Sequence, residues 1–309
     1  MSSQKIATRR AYGEALVKLG EKNQKVVVLD AETSNSTFAE LFKNAYPDRF
    51  IESFIAEQNM VSMALGLSKR GRIPFVSTFA AFFTRAADQI RMSQYSHGNV
   101  KFVGSHAGVS IGEDGASQMA LEDLSLFRAI LDSVVFYPSD SVSTEKLTML
   151  MAKHEGISYM RTTRADTDIL YSDDETFRIG GSKTLCESDK DEVTLIAAGI
   201  TLHEALAAKE ILQKDNILVR VIDLYSVKPV DKEAISKASK ETKAIIVIED
   251  HFPEGGLYEA VCSSGVVAIP TYSLAVRKMP HSGKPQELLE YEEIDHKAIV
   301  AKVKEILKK

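Results

Sequence analysis

The chain has 309 residues, 44% hydrophobic and 26% charged, an ordinary soluble globular composition that allows about two domains with cores of their own. A net charge of −5 argues against a nucleic-acid or anionic-membrane surface. With no apolar leader, no run long enough to cross a bilayer, and two distant cysteines (Cys186 and Cys262) that fit no metal spacing, the chain reads as cytoplasmic.

In chain order, Ile6, Tyr12, Leu16 and Leu19 predict a helix over 6–19 with Gly20 as its stop. The run Val26–Leu29 predicts a buried parallel strand, followed by the polar loop AETSNST and a helix from about Phe38 to Asn44. Ile51 and Phe54-Ile55 then read as a strand that turns directly into a helix carrying Met60, Met63, Ala64 and Leu67 on one face. A strand over Pro74–Ser77, an aromatic-rich helix over 78–96 and a strand over Lys101–Val103 come next. A loop, GSHAGVSIGEDGASQ, leads to a helix over about 121–131, a strand over Val134–Tyr137, a helix over 143–153 and a strand over Ile157–Arg161.

Residues 166–190 are polar, charged and glycine-containing, the composition of a crossover between domains. Alternation then restarts, with strands over Val193–Ala197, Leu218–Ile222, Ala244–Ile248 and about 266–272, and helices between them and over about 295–308. The expected architecture is α/β: two doubly wound domains with mostly parallel sheets, spanning 1–165 and 191–309 around the crossover.

Several stretches carry chemistry. Glu57 sits at a strand-to-helix junction, where an open α/β sheet places ligands; a carboxylate there also caps a helix and gains from its dipole, so a purely structural role is open. Phe79 and Phe82 are three apart and share a helical face, suited either to core packing or to stacking a flat heteroaromatic ring. The glycine-rich loop Gly104–Gly115 holds His106, Glu113 and Asp114, which could polarise a carbonyl or hydroxyl or could be a solvated turn. Arg9-Arg10 and Arg161…Arg164 suit phosphate binding, although paired surface arginines are often only solvated. No phosphate-cradling glycine motif, zinc spacing or nucleophile elbow is present.

The segments IATRRAYGEAL, IAEQNMVSMALG, STFAAFFTRAADQIRM, GSHAGVSIGEDGASQMALEDL and YPSD resemble the pyrimidine-binding domain of transketolases. TLHEALAA, VIEDHFPEGG and His281-Ser282-Gly283-Lys284-Pro285 resemble their C-terminal domain. The resemblance implies a thiamine diphosphate enzyme that transfers a two-carbon ketol unit between sugar phosphates. It implies that Glu57 hydrogen-bonds N1′ of the aminopyrimidine from an apolar, aromatic-lined pocket that keeps its carboxyl protonated, with Phe82 stacked on the ring, Phe79 beside it and Gln118 nearby. It further implies that His106 and Asp114 contact sugar hydroxyls, and that Arg9, Ser36 (or Ser34) and Arg164 hold the sugar phosphate, Arg164 being favoured over Arg161.

Gln118 stands where some transketolases have histidine. Gly112-Glu113-Asp114-Gly115 is not the motif that binds diphosphate and Mg²⁺ in the family's N-terminal domain. The resemblance therefore implies a separate N-terminal subunit, as in split transketolases, that holds most of the Mg²⁺ site in an α2β2 assembly, with the lone chain weak or inactive. The alternatives are a β-type subunit of a 2-oxoacid dehydrogenase or a deoxyxylulose-phosphate synthase relative, and a non-catalytic dimerising or regulatory remnant.

Overall fold

The computed structural model describes residues 5–308; the first four residues and Lys309, assigned above to the two domains, lie outside them. The sequence reading of an α/β chain with mostly parallel sheets is borne out. In the first sheet the strand order is Ser226–Lys228, Val134–Phe136, Ser158–Arg161, Lys101–Ser105, Ile73–Phe79, Val26–Asp30 and Phe50–Glu52. All neighbours run parallel except Ser226–Lys228, which pairs antiparallel with Val134–Phe136. That edge strand comes from the second half of the chain, so the first sheet is finished by a late segment.

The second sheet has the order Thr271–Leu274, Ala244–Ile248, Val193–Ala197, Val219–Asp223 and Lys183–Cys186, the last strand antiparallel. The strands Val26–Asp30, Val193–Ala197 and Ala244–Ile248 are rich in β-branched residues and, like Lys101–Ser105, buried on both faces, as parallel strands covered by helices must be. Residues 166–190 are not all loop: Asp166–Asp168 pairs antiparallel with Lys5–Ala7, and Lys183–Cys186 edges the second sheet. Among the described residues no helix is long and apolar enough to cross a membrane.

Local differences from the sequence reading have physical reasons. Phe54 and Ile55 are not strand: the strand stops at Glu52, Phe54 turns to φ 52°, and the two side chains are 64% and 74% exposed. The helix expected over 78–96 is three pieces. The strand Ile73–Phe79 runs into a 3₁₀ turn over Ala80–Ala86, and only Ala87–Tyr95 is α-helical. The helix expected over 38–44 is Glu40–Ala45, and part of the loop expected before it, Ser34–Thr37, is a helical turn that ends where Phe38 adopts φ 62°. The last strand lies at Thr271–Leu274 rather than 266–272, and the helix Pro285–Tyr291 was not foreseen.

Candidate active site

Parallel strands deliver their C-terminal ends to one edge of the sheet, where α/β folds bind ligands. Here that edge collects the segments after Asp30, Glu52, Phe79, Ser105 and Arg161. Ser36, Glu57, Phe79, Phe82, His106, Asp114 and Arg164 sit on these segments, and Arg9 reaches them from the helix Thr8–Lys22, whereas Arg10 is exposed and pairs with Glu14 on that helix.

Glu57 is the first residue of the helix Glu57–Lys69 and is 3% exposed. It is not isolated in an apolar pocket as expected, because its Oε1 accepts a hydrogen bond of 2.6 Å from Arg85 Nη1. Arg85 carries a charge to a carboxylate that would otherwise be buried alone, at a large desolvation cost. Its guanidinium carbon also lies 4.4 Å from the centroid of the Phe82 ring.

This arrangement follows from the 3₁₀ turn, in which residues three apart eclipse. Phe79, Phe82 and Arg85 therefore project in one column, while Ala80, Phe83 and Ala86 are buried. The Phe79 and Phe82 rings stack with centroids 5.2 Å apart, and the His106 imidazole stacks on Phe79 at 3.9 Å. The column thus runs Arg85, Phe82, Phe79, His106.

His106 follows the strand Lys101–Ser105 with φ 57°, a conformation that side chains rarely adopt and that the surrounding packing must hold. Ser105 Oγ lies 2.8 Å from its Nδ1, and Arg9 Nη1 lies 3.5 Å from its Nε2. Arginine can only donate, which assigns the proton to Nδ1 and leaves Nε2 as the acceptor. Burial, followed by the nearby charges of Arg9 and Arg164, pushes the imidazole down to about 3, so it is neutral at physiological pH.

Arg9 reaches this position because the ribbon Lys5–Ala7/Asp166–Asp168 clamps both ends of the first domain, pairing Ala7 with Asp166. Thr8 Oγ1 accepts from the Thr163 backbone N–H at 2.8 Å and tightens the same junction. Arg9 Nη1 donates to the backbone carbonyl of Ser36 at 2.8 Å, and its guanidinium lies over Phe38. Its buried Nε has no partner among the described residues. Burial and the like charge of Arg164 lower its pKa. Arg164 Nη1 is 3.2 Å from Asp114 Oδ1 and donates to the Ile111 carbonyl at 3.1 Å. Gln118 is half-buried on the turn Ala116–Gln118, which packs on the Ala80–Ala86 turn.

Arg161, the alternative to Arg164, lies elsewhere. It is fully buried, with Nε 3.1 Å from Asp123 Oδ2 and Nη1 2.7 Å from Asp250 Oδ1. Asp250 comes from the second half of the chain and packs against Gly108, where an added Cβ would overlap its carboxylate and φ is +83°. The second half thereby braces the His106 loop. Among the described residues no group of three or more His, Cys, Asp or Glu is arranged to hold a metal ion.

Residues 4–168 match the transketolase pyrimidine-binding domain and residues 182–299 the transketolase C-terminal domain. The chain belongs to the transketolase family. It is 53% identical over 309 residues to human transketolase, covering 99% of this chain and 50% of the relative. It is 56% identical to mouse transketolase-like protein 2, covering 98% and 49%. The chain thus spans about half the length of the curated transketolases it matches. A split-gene transketolase solved as an inactive β4 tetramer matches over 99% of both chains, at 39% identity and a TM-score of 0.89. Campylobacter jejuni transketolase shares the fold at 22% identity and a TM-score of 0.85, with 47% of its length covered.

Within this transketolase chain, Glu57, Phe79, Phe82, His106, Arg9, Asp114 and Arg164 gather at one strand-end edge. Ser36 meets Arg9 through its backbone carbonyl, and the contact says nothing of its hydroxyl. Arg85 is the residue that sequence reasoning missed. The signal that could have found it is the three-residue spacing Phe79, Phe82, Arg85.

Proposed function

We propose that this chain is the C-terminal subunit of a thiamine-diphosphate-dependent transketolase. With an N-terminal, diphosphate-binding subunit it transfers a two-carbon ketol unit from a ketose phosphate to an aldose phosphate. The observation that carries this reading is the adjacency of two groups: Glu57 with the Phe79–Phe82 stack, and Arg9, His106, Asp114 and Arg164 beyond it. The match over 99% of both chains with a split-gene transketolase supports a separate N-terminal partner and self-association into an α2β2 assembly.

Thiamine diphosphate supplies the electron sink for cleaving and forming the carbon–carbon bond. The residues fit its aminopyrimidine: a buried carboxylate at a helix N-terminus beside a half-buried, flat aromatic face. Glu57 would hold the ring nitrogen N1′, and Phe82 would orient the ring by stacking, with Phe79 behind it and Gln118 nearby. Mg²⁺ would be held with the diphosphate mainly by the partner subunit.

His106, neutral and with Nε2 as acceptor, would take a hydrogen bond from a hydroxyl of the bound sugar in place of the 3.5 Å Arg9 contact, without adding charge at the reacting carbons. Asp114 would read a second hydroxyl. Arg9, whose buried Nε has no partner among the described residues, and Arg164 would supply two cations for the sugar phosphate, next to the helical turn Ser34–Thr37.

The test is tagged chain purified from its native host with whatever copurifies, assayed with Mg²⁺, thiamine diphosphate, xylulose 5-phosphate and ribose 5-phosphate. A stoichiometric second protein with ketol transfer, absent from the lone chain, is the expected result. Copurification without that transfer overturns the substrate assignment. Near-normal turnover in an assembled Glu57→Ala enzyme overturns the role of Glu57.

A further inference from the structure

Arg85 holds, in one planar group, the two contacts that the reading above gives to the aminopyrimidine. Its Nη1 is 2.6 Å from Glu57 Oε1, and its guanidinium carbon is 4.4 Å from the Phe82 centroid. Guanidinium is suited to both, being flat, weakly hydrated and matched to carboxylates. The two partners differ sharply in exposure, 50% for the Arg85 side chain against 3% for that of Glu57. The arginine therefore reaches inward from the surface on a flexible stem, and it can swing back to water without disturbing the core. Glu57 cannot move with it, because its backbone starts a helix whose Met60, Val61 and Ala64 are buried.

We propose that Arg85 is a displaceable internal occupant of the pyrimidine subsite, stacked on Phe82 and paired with Glu57 until the cofactor's pyrimidine ring takes over both contacts. This rests on the thiamine diphosphate reading. Arg85 supplies a buried carboxylate with a partner when the ring is not there, so the lone subunit never holds Glu57 as an uncompensated charge. The same contacts subtract from cofactor affinity, because an apparent dissociation constant rises as the receptive population falls. A subunit built this way keeps its pyrimidine subsite self-satisfied before assembly.

The experiment is calorimetric titration of thiamine diphosphate, with Mg²⁺, into the complex with the copurified partner subunit. Wild type is compared with Arg85→Ala, Arg85→Gln, Glu57→Gln and the Arg85→Ala/Glu57→Gln pair. The expected result is about tenfold tighter binding for Arg85→Ala, the factor that a ten-to-one occupancy of the subsite by Arg85 implies. Arg85→Gln should move in the same direction, and it decides the matter if the alanine variant fails to assemble. The gain should shrink in the Glu57→Gln background, because the two residues act on one contact. Equal or weaker binding on losing Arg85 overturns the inference and leaves the cofactor reading standing. No binding of thiamine diphosphate by the wild-type complex overturns both.

Discussion

The His106 imidazole stacks on the Phe79 ring, with centroids 3.9 Å apart and planes 14° from parallel. That contact joins the end of one parallel strand to the end of its neighbour, since Phe79 and Ser105 are register partners. It also carries the aromatic column from Arg85 and Phe82, beside Glu57, to the loop that holds His106. A neutral imidazole stacks there with little desolvation cost; an imidazolium would meet the charges of Arg9 and Arg164.

The first prediction concerns that protonation state. His106 in the folded chain is pushed down to about 3, below the unfolded value of 6.5. The unfolded chain therefore binds the proton first on acidification. The stability contributed by a neutral His106 is complete above pH 6.5 and is lost as pH falls toward 3. Ring resonances of His106, followed by NMR with isotopically labelled histidine, should stay in the neutral form at pH 5. Replacing it as His106→Asn should remove its share of the acid destabilisation. Titration of His106 near 6.5 would sink the assignment.

The second prediction separates the sugar-phosphate contacts. Arg9→Ala and Arg164→Ala in the assembled enzyme should each raise KM for a phosphorylated donor about tenfold to a hundredfold, the range for losing a charged hydrogen bond. Neither should change the response to an unphosphorylated sugar to that extent. Ser36→Ala should cost less, because Arg9 is held by the Ser36 backbone carbonyl, which alanine retains. An equal loss with phosphorylated and unphosphorylated donors would show that the arginines only shape the fold.

How far the sequence reaches is visible in these same residues. Glu57, Phe82, His106 and Arg164 are legible because each follows a recognisable apolar strand, and strand ends in an α/β sheet converge. Arg85 is not, because a helical reading of residues 78–96, at about 100° per residue, keeps Phe79 and Phe82 on one face but turns Arg85 away from Phe79, whereas the 3₁₀ turn stacks all three. Phe54-Ile55 reads as strand on hydrophobicity alone, and only the turn at Phe54 shows that it points outward. Arg161 and Arg164 have like surroundings in the sequence. Their fates differ because Asp123 and Asp250, 38 and 89 residues away, claim Arg161.

The third prediction turns on Asp30, at the end of the strand Val26–Asp30. Its Oδ1 accepts from the Thr33 N–H and hydroxyl, and its Oδ2 from the Thr37 hydroxyl, which shapes the helical turn carrying Ser34 and Ser36. Burial pushes this carboxyl up to about 7, against 3.8 in the unfolded chain. The folded state therefore binds the proton first as pH falls, and the stabilisation is complete below 3.8 and lost as pH rises through 7. Asp30→Asn keeps the Thr33 contacts and reverses one bond to Thr37, so it should be relatively more stable than wild type at pH 8 than at pH 5. Parallel pH–stability curves for the two proteins would contradict the buried, proton-binding Asp30.

The fourth prediction addresses the brace between the two halves. Asp250 Oδ1 pairs with Arg161 at 2.7 Å, both side chains are fully buried, and Tyr137 donates to the same carboxylate at 3.0 Å. Asp250→Ala would strand a buried guanidinium with Asp123 as its remaining ion partner, which typically costs about 3–5 kcal/mol. Tyr137→Phe removes one hydrogen bond from the carboxylate and should cost about 1 kcal/mol. Urea unfolding of the two variants beside wild type measures the difference. Because Asp250 also packs on Gly108 in the His106 loop, Asp250→Ala should weaken sugar-phosphate binding in the assembled enzyme more than thiamine diphosphate binding. A stability loss below about 1 kcal/mol for Asp250→Ala would mean that Asp123 and water suffice to hold Arg161, and that the second half does not brace the loop through this pair.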